Sequence, residues 1–306
     1  NIAADDLVIT NGAMEALNLC LQAVTEPGDL VVVESPTFYA SLQALERRKL
    51  RALEVATHPA EGIDLAALES TLSRQPVKAC WLMSSFQNPL GGLMPEEKKR
   101  DLARLLARHR VPLIEDDVYG ELYFGDRKPL PVKAFDEHGL VLHCASFSKC
   151  VAPGYRVGWV AAGAWARRVQ QLKVMSSLSA AVPSQAALSD YLAQGGHDHH
   201  LRRLRQTLLT RRDAMLQAIA DSFPEGTHVT HPQGGYFVWV ALPPAIDALS
   251  LLRQALDHGV SLMPGQLFSA DRRFTHCVRL NYGAAEVPAL EAATRQLGDL
   301  ARAMAG

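Results

Sequence analysis

The sequence predicts an α/β protein in which a large, mostly parallel sheet is covered on both faces by helices and followed by a smaller α+β unit. Apolar runs of strand length recur at 6–10, 29–35, 79–85, 111–117, 140–146 and 157–163. Segments of helical period separate most of them; the clearest is 96–109, where Leu102, Leu105 and Leu106 share one face. Near-continuous apolar strands alternating with amphipathic helices are the pattern of a sheet buried on both faces. Beyond residue 165 the texture changes. Residues 165–222 read as helical, broken at Pro183 and at Gly195-Gly196, with a long charged helix from about 199 to 221. A short strand with a Gly-Gly break at 231–242, a helix near 247–258, a strand at 276–282 and a last helix complete the smaller unit. The expected division is 1–198 for the large domain and 199–306 for the interdomain helix and small domain.

A chain of 306 residues has room for two such units, at roughly 150 residues per domain. Hydrophobic residues at 48% and charged residues at 21% fit a folded globular protein. With 31 basic residues against 32 acidic ones, the chain carries no broad field for a phosphate backbone, which argues against direct nucleic-acid binding. Five scattered cysteines without a C-x-x-C pair suggest neither a disulfide framework nor a zinc site, and a cytoplasmic location is expected. There is no apolar run of membrane-spanning length, and residues 1–10 lack the pattern of a signal peptide. The first residue is not Met, so the sequence is expected to be part of a longer one.

Ligands of open α/β sheets sit beyond the carboxyl ends of the strands, so the polar residues just after each apolar run are the candidates. After 6–10, Gly12 turns the chain into a helix starting at about Ala13, with Leu17, Leu21 and Val24 inward. Its free N–H groups make an anion site, although a glycine turn before a helix explains the same residues. The second run leads into Pro36, Phe38 and Tyr39, where either aromatic offers a flat face to a planar ligand or packs in the core. The third leads into Asn88-Pro89 and a glycine pair, which turn chemistry alone explains. The fourth ends in Glu115, Asp116 and Asp117, with Tyr119 close behind. Acids there either cap a helix or supply one carboxylate to a protonated ring nitrogen. The fifth leads into Ser146, Ser148 and Lys149, with Arg156 nearby. A desolvated lysine is a nucleophilic amine able to form a Schiff base, and hydroxyls beside a guanidinium suit a phosphate. Each residue singly has a plain structural role. Jointly they answer to one cofactor, pyridoxal 5′-phosphate.

The motifs TNGAMEAL, SPTFY, NPLGG, EDDVYGEL, SFSKCVAPGYRVGW and VRLNY resemble, in order and spacing, those of the fold-type I, class I/II aminotransferases. The resemblance covers nearly the whole chain and implies the aspartate aminotransferase-like fold of pyridoxal-phosphate-dependent transferases. It implies that Lys149 holds the cofactor as a Schiff base and moves the substrate's Cα proton. Asp116 would keep the pyridine nitrogen protonated, Tyr119 and Asn88 would bond the ring's phenolic oxygen, and Phe38 would stack on the ring. Backbone N–H groups of Ala13 and Met14, after Gly12, would hold the phosphate together with Ser146, Ser148 and Arg156. Arg279 would pair bidentately with the substrate α-carboxylate, and Asn88 would share the substrate site.

GGHDHHLRRLR, HPQGGYFVWVALP, MPGQLFS and RLNYG are similar to the aminotransferase-like domain of MocR-type regulators, a branch of the GntR transcription factors. That similarity implies an effector-sensing domain for an amino acid or 2-oxo acid. It also implies a homodimer that meets DNA only through a winged-helix domain not in this chain. Members of the wider family carry an N-terminal arm ahead of the phosphate loop, and a partner's tyrosine from that region reaches the phosphate; the sequence begins after this stretch. A stand-alone aminotransferase is the alternative, and a protein that keeps the fold without the chemistry is a third reading. His197, His199 and His200 are read as a helix start rather than a metal site. In 201–212, Leu201, Leu204, Leu208 and Leu209 form a packed stripe with the arginines mostly elsewhere. Cys150, beside Lys149, is left without a role.

Overall fold

The six apolar runs become six strands of one sheet, in a computed structural model that describes residues 2–305. In chain order the first part holds β1 (Leu7–Thr10), α1 (Ala13–Val24), β2 (Leu30–Ser35), α2 (Tyr39–Arg47), β3 (Arg51–His58), β4 (Gly62–Ile63) and α3 (Leu65–Arg74). There follow β5 (Val77–Leu82), α4 (Glu96–His109), β6 (Leu113–Asp116), β7 (Val141–Ser146) and β8 (Gly158–Ala161). The strand order is β1-β8-β7-β6-β5-β2-β3-β4. Pairing is parallel from β3 through β7, whereas β8 is antiparallel to β7 and to β1, and β4 to β3.

Alternation along β2 shows why its sequence is apolar throughout. Val31 and Val33 join Leu17 and Leu21 of α1 on one face, and Val32 joins Leu102 and Leu106 of α4 on the other. Val24, expected inward, is half-buried at the end of its helix. β3 lies outside the apolar runs because only Val55 in it is buried, with the two-residue β4 as its outer neighbour.

The helical stretch divides into α5 (Ala166–Ser177), α6 (Val182–Ala193) and α7 (His197–Ser222). Pro183 opens α6, where its missing N–H costs nothing, and Gly195 turns the chain at a φ of +72° before α7. In α7, Leu201 and Leu208 are buried while Leu204 and Leu209 are half-buried, as the stripe predicts. A second, antiparallel sheet has the order β11-β12-β10-β9, formed by β9 (His228–Val229), β10 (Phe237–Ala241), β11 (Met263–Pro264) and β12 (Cys277–Asn281). The helices α8 (Ala248–Asp257) and α9 (Val287–Ala305) pack with it.

One apolar core continues from Tyr119 and Leu122 through Leu201 and Met215 to Val240, Leu251 and Leu297, joining the two sheets. Gly234 permits the close approach that joins them: a Cβ there would lie 2.4 Å from the Leu122 carbonyl and 2.5 Å from the Phe86 ring. Among the described residues, no helix is long and apolar enough to cross a membrane.

Candidate active site

The carboxyl ends of β2, β5, β6 and β7 and the start of α1 converge with β12 on a cavity of about 330 Å³. Every residue given a site role by the resemblance lines it except Gly12, which turns the chain into α1 immediately before Ala13. Gly12 has a φ of +84°, and a Cβ on it would meet the Arg156 guanidinium at 2.3 Å. No side chain caps α1, so its first N–H groups face outward without an internal acceptor. Arg156 spans this start, donating to the Asn11 carbonyl at 3.3 Å and the Ser148 hydroxyl at 3.1 Å. Ser146 and Ser148 also line the cavity. The arrangement is a cup of hydrogen-bond donors for an anion.

The three adjacent acids of β6 separate by partner. Glu115 accepts from Ser84 at 2.7 Å, from the Val132 and Lys133 N–H groups at 2.7 and 3.0 Å, and faces His143 Nδ1 at 3.2 Å. It is therefore structural. Asp117 lies 3.8 Å from His143 Nε2, outside the cavity lining. Asp116 alone of the three lines the cavity; it is 1% exposed, and its Oδ1 has no hydrogen-bond partner. Burial and the neighbouring Asp117 push its carboxyl up to about 7.

Lys149 sits across the cavity, its Nζ 6.0 Å from the Tyr119 ring centroid. Burial and the positive charge of Arg279 hold its amine below the usual lysine range, against the pull of Asp116. Its carbonyl accepts from the Tyr236 hydroxyl, and the next carbonyl, that of Cys150, meets His200 Nε2 at 2.8 Å. Arg279 reaches in from β12, donating through Nη1 to Asn88 Oδ1 at 2.9 Å and stacking 4.0 Å over the Phe237 ring. Its buried Nε has no partner. Phe38 lines the wall edge-on to Tyr39 at 5.0 Å.

The profile of the aminotransferase class I and II family matches residues 1–294. The chain belongs to that family. It is 53% identical over 299 residues to an uncharacterized HTH-type transcriptional regulator of Escherichia coli, YdcR, with 98% of this chain and 64% of that protein covered. The chain thus spans just under two thirds of that relative's length. It is 35% identical over 287 residues to an aromatic-amino-acid aminotransferase of Thermococcus litoralis, covering 92% and 69% of the two chains. The Pyrococcus horikoshii kynurenine aminotransferase matches it with a TM-score of 0.93 at 33% identity, over 99% of this chain and 76% of that one. LysN of Thermus thermophilus, solved with N-(5′-phosphopyridoxyl)-L-leucine, matches at 0.92 and 31% identity, over 98% and 78%.

Class I and II aminotransferases imply pyridoxal phosphate, and the residues of this aminotransferase-family chain fit it. The unpartnered Asp116 oxygen suits a protonated ring nitrogen, and the uncapped helix behind Gly12 suits a phosphate. Phe237 and Asn281 are cavity residues that strand-end reasoning passed over. The alternation of β10 and β12 around Arg279 was the available signal for Phe237. Cys150 is buried and its thiol is pushed up to about 11 by burial, which leaves it a poor nucleophile. Cys144 packs Sγ to Sγ against Cys20 at 3.6 Å in the core.

Proposed function

We propose that this chain binds pyridoxal phosphate through Lys149 and acts as the amino-acid-sensing domain of a MocR-type regulator. The observation that carries the cofactor reading is the convergence, in one cavity, of a buried carboxylate with one unpartnered oxygen, an amine of lowered pKa and an uncapped helix start. When bound, the cofactor supplies a carbonyl that condenses with amines and a ring that accepts electrons from the substrate's Cα. The chain's residues do the rest. Gly12, Ala13, Met14, Ser146, Ser148 and Arg156 hold the phosphate, and Phe38 holds the ring from one side. Asp116 keeps the ring nitrogen charged. Tyr119 and Asn88 are donors for the ring oxygen. Lys149, whose burial and Arg279 neighbour lower its proton affinity, takes up a proton from Cα and returns it.

The regulator reading is supported by the 53% identity to an HTH-type regulator; the stand-alone aminotransferase remains the second reading, supported by the identity to the Thermococcus enzyme. A winged-helix segment encoded ahead of Asn1 supports the first, and a short arm the second. In both, residues 1–198 form the cofactor unit and 199–306 the smaller unit that brings Arg279 to it. Titrating the protein with pyridoxal phosphate and then a panel of amino acids tests both: a visible band that amino acids alter is expected. A protein that develops no such band refutes the cofactor reading.

Arg279 is the proposed clamp for the substrate carboxylate, two donors in a fixed fork. Arg279→Ala should weaken amino-acid binding by roughly 30-fold or more, as truncating a buried charge pair does, with the cofactor band intact. An unchanged amino-acid titration removes Arg279 from the site. Copies of the chain are proposed to pair through the apolar face of α5 and α6, where Met175 is 85% exposed and Leu178 78%, with Val174 and Val182 alongside. Light scattering should find a dimer that Met175→Glu with Leu178→Glu converts to monomer; an unaffected dimer places the contact elsewhere. Buried, unbonded cysteines fit the cytoplasm as its location.

A further inference from the structure

The anion cup at α1 is held from behind by a charge pair that takes no part in lining the cavity. Glu15, the third residue of α1, turns back along the helix, and its Oε2 accepts from both the backbone N–H and the side-chain amide of Asn11. Its Oε1 accepts from Ser177 at 2.6 Å. Lys173, one turn before Ser177 on the same face of α5, places Nζ 3.3 Å from Glu15 Oε2 and also donates to the Ser177 hydroxyl. The Lys173 side chain is 5% exposed and that of Glu15 18%.

A helix-start glutamate ordinarily bonds the N–H of the capping residue itself. Here it reaches one residue further, to Asn11, so no side chain occupies the N–H groups that face the cup. Asn11 is thereby gripped at both ends, its N–H by Glu15 and its carbonyl by Arg156. Burial alone would raise the Glu15 carboxyl, but the Asn11 N–H, Ser177 and Lys173 together hold it below the ordinary range, so it is ionised. An ionised carboxylate behind a phosphate cup repels the phosphate unless its charge is cancelled. A buried lysine is a costly way to fill space, and the function that repays it here is that cancellation.

We infer that Lys173 and Glu15 are positioning residues for the phosphate: Glu15 fixes the Asn11 loop, and Lys173 neutralises Glu15 so that the loop accepts a dianion. The inference rests on the cofactor reading above. Its test compares the affinities of cofactor-free protein for pyridoxal phosphate and for pyridoxal, which differ only in the phosphate. Lys173→Met should weaken pyridoxal phosphate about tenfold or more while changing pyridoxal much less. Adding Glu15→Gln to that variant removes the uncancelled charge and should restore most of the loss. Glu15→Gln alone keeps an acceptor for Asn11 and should bind pyridoxal phosphate no more weakly than wild type, a comparison that stands even where Lys173→Met does not fold. Equal weakening of both ligands, absence of rescue in the double variant, or a Glu15→Gln that loses the phosphate preference overturns the inference. A wild-type protein that binds neither ligand overturns the cofactor reading itself.

Discussion

Lys149→Ala is expected to abolish covalent capture of pyridoxal phosphate. Borohydride treatment of the wild type should leave a cofactor adduct on the peptide containing Lys149, and mass spectrometry of the variant should find none. No other lysine among the described residues lines the cavity, so no neighbouring amine stands ready to replace it. The same change removes the group proposed to carry the substrate proton. Any amino-group transfer should therefore fall by roughly 10²–10⁴-fold, the contribution of a positioned acid–base group. An adduct that persists at full yield in the variant would move the anchor to another residue.

Asp116→Asn is expected to stabilise the cofactor-free protein while crippling the loaded one. The Asp116 carboxyl is pushed up to about 7 in the folded chain, above its ordinary value of 3.8. A folded state that holds a proton the unfolded state has released loses stability as pH rises between those two values. The loss begins near pH 4, is complete somewhat above pH 7, and is on the order of 4 kcal/mol at 1.4 kcal/mol per pH unit. Glu34, buried and pushed up to about 8, adds to the same trend. Asparagine carries no charge to bury, so thermal melts without cofactor should show the variant more stable at pH 8, with the gap narrowing toward pH 5. With cofactor, the variant should retain binding but lose the amino-acid-dependent spectral change, because an uncharged ring accepts electrons poorly. Full turnover in the variant, or a stability gap that does not depend on pH, would refute the role given to Asp116. A carboxylate that is costly in the empty protein, and proposed to be paired in the loaded one, trades stability for function.

The sequence carried more of the site than of its supports. Strand-end position collected Lys149, Ser146, Ser148, Arg156, Asn88 and Phe38 because a parallel sheet delivers all its carboxyl ends to one edge, whatever the lengths of the connections. Their pattern needed only local reading, and the resemblance to class I/II aminotransferases supplied the roles. Strand-end position did not choose among Glu115, Asp116 and Asp117; the resemblance alone singled out Asp116. Alternation along β6 sends Glu115 to Ser84, Val132 and His143, partners that no local pattern connects to it, and leaves Asp116 on the cavity side. β3 escaped notice because its single buried side chain leaves no apolar run.

The pairs that hold the site in register were equally illegible. Arg279 meets Asn88 across 191 residues of chain, and Ser177 meets Glu15 across 162. Hydrophobic period and turn chemistry are properties of neighbouring residues, so the sequence by itself determined the fold class and the order of most elements, and the resemblance supplied the chemistry expected of the site. The partners that hold Glu115 out of the cavity and the lysine that pairs with Glu15 were decided only by the tertiary structure. Burial and pairing depend on what the rest of the chain brings within a few ångströms, and here it brings Arg279 from β12 and Lys173 from α5 to loops they do not adjoin in sequence.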